Sequence, residues 1–145
     1  MPKALVVYAT RSGETKKLGE LIAEGMRFAG IDVTVSDVTQ VKKVVDLEGY
    51  DAYVFGSATY HGEMVDPMKT MLFLAEKVNL EGKIGGAYGA FGWSGEAPGR
   101  IFDTMKYVFK MDMVVDPMKL KSASLQGGMK MCHDYGKSIA GKLAA

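Results

Sequence analysis

The chain has 145 residues, the length of one ordinary domain and too short for two. Eighteen basic and 17 acidic side chains leave a formal charge of +1, which argues against a general nucleic-acid binder, and 48% hydrophobic with 24% charged residues exclude a disordered chain. A single cysteine permits no internal disulfide, Cys and His are too few for a zinc site, and no apolar run approaches the ~20 residues of a membrane span. Met1-Pro2-Lys3 leads directly into an apolar strand with no signal peptide, so a cytoplasmic protein with no membrane association is expected.

Residues 4–9 form a continuous apolar run of strand length, which suits a parallel strand covered on both faces. A helix is predicted next, with Leu18, Leu21, Ile22, Met26 and Ala29 on its inner face and Gly30 as the glycine that ends it. Residues 31–35 alternate and read as a second strand, 41–47 as a short helix, and 50–56 as a third strand. Asp66-Pro67 predicts an N-cap followed by proline at the first helical position, with the helix running to about Val78. Residues 83–90 form a glycine-rich fourth strand. Residues 98–110 form a helix with Ile101, Phe102, Met105, Val108 and Phe109 inward. Residues 113–115 and 120–125 supply an interrupted fifth strand, and Cys132, Gly136, Ile139, Ala140 and Leu143 mark the inner face of a last helix that carries His133 outward. Val-Asp-Pro-Met-Lys occurs at 65–69 and again at 115–119, in flanks too different to make a repeat.

This strict alternation calls for an α/β fold: one domain over 1–145, a five-stranded parallel sheet in the doubly wound order 2-1-3-4-5, and helices on both faces. Ligands of such sheets sit outside the carboxyl ends of the strands, so the loops after strands 1, 3 and 4 carry the test. The first, Thr10-Arg11-Ser12-Gly13-Glu14-Thr15, places three hydroxyls and a glycine at a helix N-terminus, which suits a phosphate monoester; by itself it is equally a plain cap by Ser12 or Thr10. It is neither a Walker loop nor a Gly-x-Gly-x-x-Gly fingerprint. The second, Gly56-Ser57-Ala58-Thr59-Tyr60-His61-Gly62-Glu63, and the third, Phe91-Gly92-Trp93-Ser94-Gly95-Glu96, set aromatics among small residues at the same edge. Single aromatics there usually cap the core. Three such loops together point to a flat aromatic ligand anchored by a phosphate.

Over its whole length the sequence resembles a short-chain flavodoxin. The first loop is similar to the family's Thr-x-Thr-Gly-x-Thr pattern with Ser12 for the second threonine, and the second to Gly-Ser-x-Thr-Tyr-x-Gly with Ala58 where many members have proline. Residues 91–97 are also similar to the flavodoxin-like domain of flavodiiron proteins. The resemblance implies a three-layer α/β/α sandwich and FMN as cofactor. It implies that Thr10, Ser12, Gly13 and Thr15 hold the phosphate, with Arg11, Glu14 and Lys16 beside it, and that Tyr60, His61 and Trp93 pack on or near the ring. It further implies that the Gly62–Glu63 peptide flips on reduction, so that the Gly62 carbonyl accepts from the flavin N5. The implied function is low-potential, one-electron transfer between redox proteins, a reductase as donor and an enzyme as acceptor, by a monomer with no catalytic residue or metal of its own. A flavin reductase that takes hydride from NAD(P)H and reduces a quinone or other small acceptor stays open as the alternative, whereas a receiver-type signalling domain would need acidic residues where Thr10 and Ser57 stand.

Charge is unevenly spread. Residues 1–46 net +1, 47–97 net −4 and 98–145 net +4. Glu63, Asp66 and Glu96 are therefore expected to raise the cost of the second electron jointly, with the basic surplus away from the flavin edge. Flavodoxins are usually acidic, so the near-neutral total departs from the pattern, and the family's usual partners do not carry over. His61 is a candidate proton-linked group or simply a stacked surface histidine. Exposed methionines near the ring, Met64 among them, are candidates for a docking surface, the remainder serving as adaptable core filler.

Overall fold

The computed structural model describes residues 2–91, 95–113, 115–122 and 126–144. Among these described residues, eight strands and four α-helices follow in chain order: β1 (Lys3–Ala9), α1 (Glu14–Phe28), β2 (Asp32–Asp37), β3 (Ala52–Ser57), β4 (Thr59–Tyr60), β5 (Glu63–Met64), α2 (Asp66–Ala75), β6 (Ile84–Ala90), α3 (Glu96–Asp103), β7 (Asp112–Met113), β8 (Met118–Leu120) and α4 (Gly128–Ala144). The main sheet is parallel in the order β2-β1-β3-β6, with β7 and β8 sharing the fifth place. This is the expected doubly wound order 2-1-3-4-5, its last strand in two pieces. Leu5, Val7, Tyr53, Phe55 and Ala87 face α2 and α3, whereas Ala4, Val6, Val54 and Tyr88 face α1 and α4, so alternate residues of each central strand fill two separate cores.

Glycine sets two of the closest approaches. A Cβ on Gly136 would collide with the Ile22 carbonyl oxygen, and one on Gly25 with the His133 carbonyl oxygen, so α1 and α4 meet backbone to backbone. Gly56 leaves the space that the fully buried Tyr88 ring occupies, and the Tyr88 hydroxyl donates to the Val7 carbonyl at 3.2 Å.

Several expected elements are corrected. Residues 41–47 do not form an α-helix: two 3₁₀ turns, Val38–Gln40 and Val44–Leu47, cross from β2 to β3. The segment is rich in β-branched valine, and the Asp46 carboxylate accepts from the Lys42 and Lys43 amides at 3.0 Å each, which holds the chain in turns. β2 starts at Asp32 and ends at Asp37, and Ala29 is exposed rather than inward. Asp66 is the first helical residue with Val65 as N-cap, and α2 stops at Ala75.

α3 covers 96–103 and then widens into a π-type turn over Thr104–Val108, where the Phe109 amide bonds the Thr104 carbonyl at 3.0 Å. The Thr104 hydroxyl donates to the Arg100 carbonyl at 2.9 Å, a back-bond that competes with the regular ladder. The wider turn rotates Val108 outward, to 55% exposure. The fifth strand lies at 112–113 and 118–120 rather than 113–115 and 120–125; Val114 and residues 123–125 lie outside the described residues.

The gap between β7 and β8 is filled by a side chain. β7 pairs with Ile84 and Gly85, and β8 with Tyr88 through Ala90, which among the described residues leaves Gly86 and Ala87 without a strand partner on that side. The Tyr135 hydroxyl on α4 accepts from the Ala87 amide at 3.0 Å and donates to the Ala87 carbonyl at 2.9 Å. One phenol thus replaces a missing residue of the ladder.

Candidate functional site

β1, β3 and β6 end side by side, and the three loops expected to bind a ligand leave from that edge. In the first loop Gly13 is the N-cap of α1, with φ +92°, and, being glycine, it supplies no side-chain cap. Ser12 and Thr10 are therefore not plain caps. The Thr10 hydroxyl accepts from the Gly13 amide at 2.9 Å and shapes the turn. Arg11 and Ser12 are exposed and Gly13 is half-buried, so the loop presents its donors at the mouth. Thr15 is buried. Its hydroxyl accepts a long, 3.4 Å bond from the Ala90 amide, which leaves its own proton to donate. Glu14 accepts from the Ser122 hydroxyl at 3.0 Å and pairs with Lys17 at 3.7 Å, tying the loop to the segment after β8. An uncapped helix N-terminus, hydroxyl donors and a glycine in the left-handed region make a donor set suited to a compact dianion.

The second loop is a hairpin absent from the sequence expectation. Thr59 pairs with Met64 and Tyr60 with Glu63, around a two-residue turn in which His61 (φ +51°) and Gly62 (φ +75°) are both left-handed. This is the backbone of a type I′ turn, which the strand twist favours. Ser57 faces inward: fully buried, it donates to the Ala58 carbonyl at 2.8 Å and accepts from the Val65 amide at 3.1 Å, pinning both ends of the hairpin. The Thr59 hydroxyl accepts from the Ala97 amide at 3.1 Å and so satisfies the first turn of α3 from another loop.

Tyr60 is 48% exposed, the Arg11 guanidinium lies 3.8 Å from its ring centroid, and the His61 ring is 4.1 Å away on a tilt. Arg11, although exposed, therefore bridges the first two loops. Met64 is buried and offers no docking surface. In the third loop Phe91 is half-buried and Gly95 packs near it; Gly92, Trp93 and Ser94 lie outside the described residues. Glu96 opens α3, its carboxylate beside Gly62.

Arg100 was not singled out by sequence. Its Nε donates to the Gly62 carbonyl at 3.1 Å and stands 3.6 Å from Glu63 Oε1, with Lys69 Nζ 4.0 Å from the other Glu63 oxygen. The basic third of the chain thus does reach this edge. No local motif marks Arg100, because its partners lie 37 and 38 positions away in sequence and only the α3 docking brings them together. On the last helix Cys132 is fully buried as expected, and burial raises its thiol to about 11. His133 is drawn against the surface by Glu24 at 2.9 Å and stacks edge-on with Phe28.

Among known proteins, the flavodoxin family's sequence model matches residues 6–129. A solved flavodoxin from the domain Archaea superposes with a TM-score of 0.91 at 34% identity, covering 99% of both chains. A putative diflavin flavoprotein A 3 of Synechocystis sp. is 28% identical over 141 residues, 93% of this chain but 23% of that protein. The flavodiiron protein of Giardia intestinalis shares the fold, with a TM-score of 0.90 at 20% identity over 98% of this chain and 36% of its own. The chain spans about a quarter of the length of the diflavin flavoproteins it matches.

Proposed function

Because the chain belongs to the flavodoxin family and its cofactor is FMN, we propose that it works as a one-electron carrier between a reductase and an acceptor protein. Bound FMN supplies the redox chemistry; the residues of the chain bind it, orient it and bias its potentials. The observation that carries the reading is the junction at the carboxyl edge, where an uncapped α1 N-terminus and an exposed Tyr60 are joined by Arg11 across two loops. Thr10, Ser12 and Thr15 hydroxyls and the backbone around Gly13 hold the phosphate. Tyr60 and His61 border the ring, with Trp93 as a further candidate. Ser57 and Thr59 support the site from behind, since their hydroxyls are engaged in fixing the hairpin and α3. The Gly62 carbonyl is the group offered to the flavin N5, on a glycine whose backbone freedom admits two orientations of the following peptide.

The discriminating experiment mixes FMN-loaded protein with NADH or NADPH alone. A carrier keeps its yellow colour until a partner reductase is added and then titrates in two separated one-electron waves. Rapid bleaching by the nicotinamide alone would make the protein a flavin reductase.

A further inference from the structure

The Gly62–Glu63 peptide is gripped from outside its own hairpin. Arg100 lies one turn into α3, and its Nε–H reaches the Gly62 carbonyl while the same guanidinium faces the Glu63 carboxylate. Glu63 Oε1 also accepts from the Met64 amide at 3.1 Å, so Arg100 is aimed at a carboxylate already folded back on its own strand. The helix carrying Arg100 is itself fastened to the hairpin, because Thr59 of β4 receives the Ala97 amide. Both residues flanking the peptide bond between the left-handed Gly62 and the β5 residue Glu63 are therefore held toward α3 by a single side chain. Both contacts converge on Nε: its one N–H donates to the Gly62 carbonyl at 3.1 Å, and Glu63 Oε1 lies 3.6 Å from the same nitrogen as an ion pair.

We propose that Arg100 is a positioning residue, a latch that keeps the Gly62 carbonyl toward α3 and must let go before that carbonyl can turn to the flavin. The inference rests on the carrier reading above. A guanidinium near the flavin favours electron addition by charge alone, so losing that charge lowers both one-electron potentials. Losing the latch frees the carbonyl and raises the first potential. The two effects oppose each other in the first potential and only there.

The test compares wild type, Arg100→Gln and Arg100→Lys in the full chain. Two readouts are taken: both one-electron potentials of the FMN-loaded protein, and amide hydrogen exchange at Glu63 and Met64 in the FMN-free protein. In Arg100→Gln the first-electron constant is expected to rise about three- to tenfold, roughly 30–60 mV at 59 mV per decade. Exchange at Glu63 and Met64 is expected to speed up at least about threefold, the range of a weakened hydrogen bond, with the urea midpoint of the whole chain unchanged. Arg100→Lys is expected to shift the same way by less.

A first potential that falls or stays in Arg100→Gln, or exchange that does not change, overturns the latch. A lysine variant matching wild type beside a glutamine variant shifted downward assigns Arg100 a charge role and overturns it equally. If the wild-type protein titrates in one two-electron wave, the carrier reading fails on its own, and exchange in the FMN-free protein then decides whether Arg100 holds the turn.

Discussion

Tyr135→Phe removes one oxygen and breaks two hydrogen bonds of the sheet that carries the site. The phenol stands where β7 and β8 leave the fifth strand open, and both of its bonds go to the buried Ala87. Phenylalanine fills nearly the same volume, so packing on Gly86 and Ile139 survives, and the loss is confined to the Ala87 amide and carbonyl. Leaving a buried donor or acceptor unsatisfied costs about 1–3 kcal/mol, or about 2–6 kcal/mol for the two, and recovery of the phenol's own burial cost reduces this to about 2–4 kcal/mol. At this chain length each kcal/mol is worth about 3–4 °C, so the thermal midpoint is expected to fall by roughly 6–15 °C. A stability of about 5–15 kcal/mol keeps the variant folded at 25 °C. The assay is urea unfolding by circular dichroism, in which the midpoint should move and the slope should not. Amide exchange should accelerate at Ala87 more than at Phe55, its partner on β3. A loss below about 0.5 kcal/mol, the size of an ordinary surface change, would refute the ladder-substitute role.

Ser12→Ala tests the phosphate site without touching the core, since Ser12 is exposed. Loss of one charge-assisted bond should weaken FMN about tenfold, leave riboflavin binding unchanged and leave stability within about 0.5 kcal/mol; equal weakening of both ligands in fluorescence titrations would remove Ser12 from the phosphate. Cys132 gives the chain a pH signature. Its thiol is raised from 9.0 to about 11 by burial, so between those values the unfolded chain loses a proton that the folded chain keeps. Stability should therefore fall as pH rises from about 9 to about 11, by up to about 1.4 kcal/mol per unit, and Cys132→Ala should flatten that slope in urea titrations.

Periodicity and turn chemistry revealed the sheet order because β1 and β3 are short apolar runs closed by threonine or serine, and β6 is a glycine-rich run of strand length. The first phosphate loop was visible for the same reason: its donors are contiguous in sequence. What escaped is non-local. The His61-Gly62 turn was readable as a candidate hairpin only if His61 is allowed a left-handed backbone, which asparagine and glycine signal better. The π-type turn after α3 depends on the Thr104 back-bond, whose donor looks like any mid-helix threonine. Tyr135 read as neither core nor site, since its role exists only where two other strands fail to meet. Ser57 and Thr59 sit within a binding motif, yet their hydroxyls are turned to holding the hairpin and α3, and composition does not separate a ligand donor from a scaffold donor.

Charge at the site follows contacts across segments rather than segment totals. Glu63 belongs to the −4 segment, but Arg100 of the basic third and Lys69 of its own segment flank it; Asp66 and Glu96 each lie in the first turn of a helix, where the dipole offsets a negative charge. Each of the three carboxylates thus has a positive neighbour, which reduces the field they were expected to exert on the second electron. The balance can be read with Glu63→Gln set against Arg100→Gln. These change the local charge by one unit each, in opposite directions and within one contact of each other, so screening acts on both alike. If charge were all, the first potential would rise in Glu63→Gln and fall by a similar amount in Arg100→Gln. With Arg100 holding the Gly62 carbonyl, both variants raise it, one through charge and the other through release of the turn. Equal and opposite shifts would return the site to plain electrostatics and leave the hairpin geometry without a redox role.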